Sequence, residues 1–192
     1  MHVVPRIGLF GGTFDPPHLG HLAVARAALE AFHLDRLIFI PCLIAPHKSE
    51  EKPTAVEHRL RMLQLALQNE PQFEISTVEL ERKPPSYSCD TVKHFRASHP
   101  EAQLFWILGS DQWEVIETWR DIREMAGLVQ FIVVARPEMV QPRLGIIPLR
   151  LGAQSDSSSS RVRKKLRAGL PVNDLLPSSV EQYIRQQQIY FK

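Results

Sequence analysis

Cysteine is nearly absent from this 192-residue chain: Cys42 and Cys89 stand far apart and form no C-x-x-C pair. That scarcity excludes a zinc ribbon or a disulfide framework and suits a reducing cytosol. Net charge is scarce too, +2 from 23 basic and 21 acidic residues, so the balance points to neither nucleic acid nor membrane as the partner, and any basic site has to be local. No apolar run reaches the roughly 20 residues of a membrane span, and MHVVPRIGLF holds no long apolar core of a secretion signal. Repeats are missing, and SDSSSS is the sole low-complexity stretch. The expectation is a cytoplasmic globular enzyme in a single domain, residues 1–192, with residues 158–192 as a C-terminal helical part completing the site.

What is present is alternation. Residues 6–10 and 37–40 read as buried strands around a helix at 19–33, whose Leu22, Ala25, Leu29 and Phe32 share one face. Thr54 and Glu57 have capping-box spacing and open a helix to about Asn69, with Leu60, Leu63 and Leu67 inward. Phe73 to Leu80 is a strand candidate, residues 89–97 a helix, and Leu104 to Leu108 a continuous apolar run suited to a central strand. Two short helical stretches flank Glu117-Thr118-Trp119-Arg120, a strand follows from Val129 to Ala135, and Ile146-Ile147 is a candidate edge strand. Helices at 158–168, stopped by Gly169, and at 177–187 close the chain. The pattern predicts an α/β fold, a doubly wound, Rossmann-like parallel sheet with helices on both faces and ligands at the carboxyl ends of the strands.

The stretch GGTFDPPHLGH, residues 11–21, falls where the first strand hands over to the first helix. Glycine lets a ligand approach the backbone, the helix N-terminus attracts anions, and His18 and His21, three apart, share a helical face with Gly20 between them. A nucleotide polyphosphate is the leading ligand. A metal held by H-x-x-H, and plain capping or core roles for the histidines, stay open. Ser158, Ser159 and Ser160 with Arg163 make a second anion site, a hydroxyl-rich helix start followed by a guanidinium; its rival is a serine linker before a solvated basic face. Lys48, in a polar loop, is a candidate cover for departing pyrophosphate or a surface lysine. Asp111, two residues past Gly109 at the end of the apolar strand, is a site carboxylate or a helix cap. Trp119 is a site residue or fills a gap, while Trp106 and Trp113 belong to the core.

Gly12 to His21 is similar to the G-x-F-x-P-x-H-x-G-H signature of the nucleotidyltransferases related to class I aminoacyl-tRNA synthetases. Further stretches resemble the bacterial nicotinate-mononucleotide adenylyltransferase family: Pro46-His47-Lys48, Ser86 to Thr91, Leu108 to Asp111, Thr118-Trp119, Arg136-Pro137 and Ser158 to Arg163. The last of these departs from the family pattern, with Ser157 at a usually apolar place, Ser160 for threonine and Asp156 just before. The resemblance implies catalytic roles for His18 and His21. It implies nucleotide contacts at Gly11, Gly12, Thr13, Phe14 and Gly20, at Lys48, Gly109 and Asp111, and at Ser158, Ser159, Ser160 and Arg163. It assigns the acceptor to Ser86, Tyr87, Ser88, Trp119, Arg120 and Arg136. By the same resemblance Asp111 is a ribose ligand and Trp119 stacks on a ring. The implied reaction joins ATP and nicotinate mononucleotide, with Mg²⁺ arriving on ATP and no metal ligand from the protein. A sibling transferase using nicotinamide mononucleotide or phosphopantetheine is the near alternative, and a catalytically silent nucleotide- or RNA-binding protein the distant one. Assembly into a homo-oligomer stays open.

Overall fold

The computed structural model describes residues 4–44, 52–135, 140–152 and 157–191. Six strands lie parallel in the order β3-β2-β1-β4-β5-β6. They are β1 (Arg6–Gly12), β2 (Arg36–Pro41), β3 (Phe73–Ile75), β4 (Gln103–Gly109), β5 (Gln130–Ala135) and β6 (Leu149–Gly152). The central strands are apolar along their length because both sheet faces are covered. On one face Phe10, Leu37, Phe39, Phe105 and Ile107 join a core with α1 (Leu19–Ala31), α2 (Val56–Leu67), α6 (Ser159–Arg167) and α7 (Ser178–Gln186). On the other, Leu9, Ile38, Trp106 and Leu108 pack under α3 (Ser88–Ser98), α4 (Ser110–Glu114) and α5 (Ile122–Leu128). No described helix is long and apolar enough to cross a membrane.

The doubly wound sheet agrees with the alternation, and three local expectations need correction. The capping box of Thr54 and Glu57 does not form: Ala55 is the N-cap, without a side-chain bond. Thr54 is instead drawn into tertiary contacts, its N–H donating to Asp15 Oδ2 (3.0 Å) and its carbonyl accepting from Arg59 (2.8 Å). The strand expected from Phe73 to Leu80 stops at Ile75, because Leu80 N–H bonds back to the Thr77 carbonyl and turns Glu79 inward. Glu117 to Arg120 do lie between two short helices, α4 and α5, with a 3₁₀ turn at Ile116–Thr118 added between them. Ile146 closes a small antiparallel bridge with Arg143, and the edge strand is Leu149–Gly152, just past Pro148, where a missing N–H costs no ladder bond.

Candidate active site

Strand β1 pairs with β2 on one side and β4 on the other, so its carboxyl end is the place where the winding reverses and the crevice opens. The chain leaves β1 through Gly11 and Gly12, pressed against aromatic rings. A Cβ on Gly11 would stand 2.9 Å from the Trp106 ring, and one on Gly12 2.9 Å from that of Phe14. Phe14 itself takes φ +49°, a left-handed conformation costly for an L-residue. Burial of its ring offsets that cost, since Phe14 is 2% exposed and packs edge-on against Phe10 and His21. Its influence on a ligand therefore passes through the loop it supports. Gly20 is likewise buried, in the first turn of α1.

His18 is the N-cap of α1, and the two histidines cap that helix reciprocally. His18 N–H donates to His21 Nδ1 (3.1 Å), His21 N–H donates to His18 Nδ1 (3.3 Å), and the rings stack at 3.7 Å. Because each Nδ1 accepts, each neutral ring carries its proton on Nε2, which makes it a donor suited to phosphate oxygens. Burial lowers the His18 pKa from 6.5 to about 4. Neutrality of His18 thus favours folding: its contribution is full above the unfolded value of 6.5 and is lost as pH falls toward 4. Relative to His18→Asn, which keeps a capping side chain, wild type is expected to lose on the order of 3 kcal/mol between neutral pH and pH ~4. Urea midpoints for both proteins across that range check this; parallel curves would contradict it.

Among the described residues the buried polar or charged side chains are Asp15, His18, Arg59, Glu79, Ser86 and Thr91. All six gather on loops and first helical turns at this end of the sheet. Arg59, 1% exposed, has no carboxylate partner among the described residues and spends its guanidinium on carbonyls. It donates to Thr54 O (2.8 Å), Thr13 O (2.8 Å) and Cys42 O (2.9 Å), tying the ends of β1 and β2 to the start of α2. Asp15 receives Thr54 N–H on one oxygen and the Tyr190 hydroxyl on the other; burial and this carboxylate push the Tyr190 pKa up. Helix α6 docks on the same loop. Ser158 caps it by accepting from Arg161 N–H (3.2 Å), Ser159 Oγ donates to Pro16 O (3.0 Å), and Arg163 donates to Asp15 O (2.9 Å). The serine run is a docked cap, so the linker reading does not hold for residues 157–160.

Beside the loop lies a cleft of about 220 Å³. Its floor is Gly11, Gly12, Thr13 and Trp106, with Leu108, Gly109 and Gln112 at the end of β4. Glu79, Ser86, Tyr87 and Ser88 form one wall, and Thr118, Trp119 and Arg120 the other. Trp119 is half-buried, edge-on to Trp106 (6.4 Å, 86°), and its indole N–H is buried without a partner among the described residues. Arg120 lies over the Tyr87 ring at 4.6 Å, closing one end. Burial pushes the Glu79 carboxyl up, against the pull of Thr91, Arg82 and Ser86. Burial and the nearby Glu79 raise the Cys42 thiol, against contacts from Thr13 and Arg59.

The sequence-predicted residues therefore fall into two neighbouring groups. Gly11, Gly12, Thr13, Gly109, Ser86, Tyr87, Ser88, Trp119 and Arg120 share the cleft. His18, His21, Ser159 and Arg163 meet on the loop beside it, with Ser158 and exposed Ser160 at the start of α6. Asp111 is exposed on the first turn of α4 and outside the cleft wall, where Gln112 stands instead. Trp106 and Trp113 are core residues, 3% and 2% exposed, although Trp106 also carries the cleft floor. Lys48 and Arg136 lie outside the described residues. Sequence reasoning missed Arg59 and Glu79. A signal for the first was available, since Arg59 occupies the inward i, i+3, i+4 stripe with Met62 and Leu63.

Comparison with known proteins agrees with this geometry. The family model described as Cytidylyltransferase-like matches residues 9–165. The nicotinate-nucleotide adenylyltransferase of Bacillus subtilis is 40% identical over 190 residues, covering 96% of this chain and 98% of that protein. A probable nicotinate-nucleotide adenylyltransferase of Geobacillus thermodenitrificans is 41% identical, covering 96% of this chain and 86% of its own length. In fold, the nicotinic acid mononucleotide adenylyltransferase of Plasmodium falciparum complexed with NaAD superimposes with a TM-score of 0.79 at 20% identity, over 97% of this chain and 98% of that one. With the glycine-histidine loop, the switch-point cleft and the near full-length relatives in agreement, the chain belongs to the cytidylyltransferase-like family and, within it, to the nicotinate-nucleotide adenylyltransferases.

Proposed function

We propose that the chain transfers the adenylyl group of ATP to nicotinate mononucleotide, releasing pyrophosphate and forming nicotinate adenine dinucleotide, a step of NAD biosynthesis. The observation that carries this reading is one cleft at the switch point, joining the glycine end of β1 to a wall of Trp119 and the Ser86–Ser88 loop. The acceptor's phosphate is the nucleophile: one of its oxygens bonds to the α-phosphorus as the bond to pyrophosphate breaks. No covalent enzyme intermediate is needed, so catalysis consists of in-line positioning and of stabilising charge on the leaving group. His18 and His21 serve as neutral Nε2–H donors to the phosphates, Arg163 and the start of α6 bind the departing pyrophosphate, and Lys48 covers it. Asp111 and Gly109 hold the adenylate half, and Arg136 contributes to the acceptor's binding.

Mg²⁺ carried by the ATP phosphates would neutralise part of their charge, with no dedicated protein ligand. The loop's own chemistry fits that route, because both Asp15 oxygens are already engaged by Thr54 and Tyr190. Among the described residues, one group of His, Cys, Asp and Glu has metal-like spacing, Cys89, Asp121 and Glu124. Its two carboxylates are paired with Arg120 and Lys93.

A ring carboxylate wants donors without acceptors beside it, and backbone N–H groups of Tyr87, Ser88 and Arg120 supply them; those of Ser86 and Trp119 are already given to Ile44 O (3.4 Å) and Ile116 O (3.0 Å). The acid acceptor is expected to exceed nicotinamide mononucleotide by at least ~10-fold in kcat/KM, about 1.4 kcal/mol of differential binding. Trp119→Ala should raise KM for both acceptors alike, since stacking is indifferent to the substituent's charge. Steady-state kinetics with the two acceptors tests the reading. Equal or better use of the amide would overturn the acid assignment, and an unchanged KM in the variant would return Trp119 to a packing role.

A further inference from the structure

Of the ionisable side chains in the cleft wall, Cys42, Glu79, Tyr87 and Arg120, Glu79 alone brings a carboxylate, on the same wall as the loop that receives the acceptor's ring substituent. It is 4% exposed. One firm hydrogen bond holds it, from Thr91 Oγ1 (2.7 Å) on the first turn of α3. Among the described residues the nearest cation, Arg82 on its own loop, stands at 4.0 Å and directs its guanidinium to the Thr91 hydroxyl as well. Arg120 does not compensate, because its guanidinium lies over Tyr87 and pairs with Asp121 at 3.2 Å. From the end of β2 Glu79 faces the Cys42 thiol, and from the loop before α3 it faces Ser86, whose buried hydroxyl makes no well-formed hydrogen bond to it. Trp106, Leu108 and Trp119 supply the apolar remainder.

We propose that Glu79 is a proton-linked selectivity residue: the ring carboxylate of an acidic acceptor enters together with one proton, which Glu79 takes up. Two carboxylates in one poorly solvated cleft cannot both stay ionised at low cost. Protonation removes the repulsion and turns Glu79 from an acceptor into an O–H donor beside the loop where the anion sits. Burial already biases Glu79 toward its neutral form. A carboxamide brings no charge and requires no proton. The acid-over-amide preference therefore declines as pH rises through the Glu79 pKa, by up to about tenfold per pH unit. This proposal rests on the acceptor assigned above.

The test is binding calorimetry of each mononucleotide to the full chain near pH ~8, in buffers of different protonation enthalpy. The two ligands share the phosphate, so titration of that group and of the histidines cancels in the difference. The acid is expected to bind with up to about one more proton taken up than the amide, and Glu79→Gln should abolish the difference. Equal proton uptake in wild type would overturn the proposal without need of any variant, as would an undiminished difference in Glu79→Gln. Failure of both mononucleotides to bind would overturn the assigned acceptor and this proposal with it, an outcome distinct from binding without proton uptake.

Discussion

Replacing His18 by alanine is expected to lower kcat/KM by about 10²-fold or more, the usual scale for removing one preorganised donor from a phosphate-transfer site. His18 also caps α1, so alanine should cost about 1 kcal/mol of stability as well. His18→Asn separates the two roles. Asparagine caps helices well yet places no donor where Nε2–H stood, so it should keep most of the stability and still lose the activity. If the asparagine variant turned over normally, His18 would be a capping residue only. His21, joined to His18 by the reciprocal cap, is expected to show the same separation in milder form.

The second large effect is expected at a residue that touches no substrate. Arg59→Met keeps the length and apolar stem of the side chain but strands the carbonyls of Thr13, Cys42 and Thr54 in a buried setting. Leaving buried acceptors unpaired costs about 1–3 kcal/mol each, so a loss of roughly 3 kcal/mol or more is expected, partly offset by removing a buried charge that has no countercharge among the described residues. Activity should fall further than stability explains, because Thr13 and Cys42 both face the cleft. Urea midpoints and kinetics on the folded protein separate the two effects. Wild-type stability in Arg59→Met would show that those carbonyls find other donors.

Strands β1, β2 and β4 were legible because burial on both faces gives unbroken apolar runs, as in Leu37 to Ile40 and Leu104 to Leu108. The loop between β1 and α1 was legible because Gly12, His18 and His21 are unusual residues at fixed spacing. What was not legible depends on contacts distant in sequence. Thr54 reads as the first residue of a capping box, but Asp15, 39 positions earlier, takes its N–H. The run from Phe73 to Leu80 reads as a strand candidate, yet its second half turns inward to deliver Glu79 to the cleft. Tyr190 looks like any aromatic near a chain end, and only the fold brings its hydroxyl to Asp15, 175 residues away. Local pattern therefore locates the site's backbone, while the side chains that brace it are chosen by tertiary proximity.

The central claim is that this cleft joins ATP to a pyridine mononucleotide acid. The most direct measurement incubates the purified chain with Mg-ATP and nicotinate mononucleotide, following pyrophosphate release and identifying the nucleotide product by mass. The account predicts pyrophosphate and nicotinate adenine dinucleotide in equal amounts, with at least ~10-fold slower formation of the amide dinucleotide from nicotinamide mononucleotide. ATP binding without turnover of any pyridine mononucleotide would contradict it and leave a silent nucleotide-binding protein.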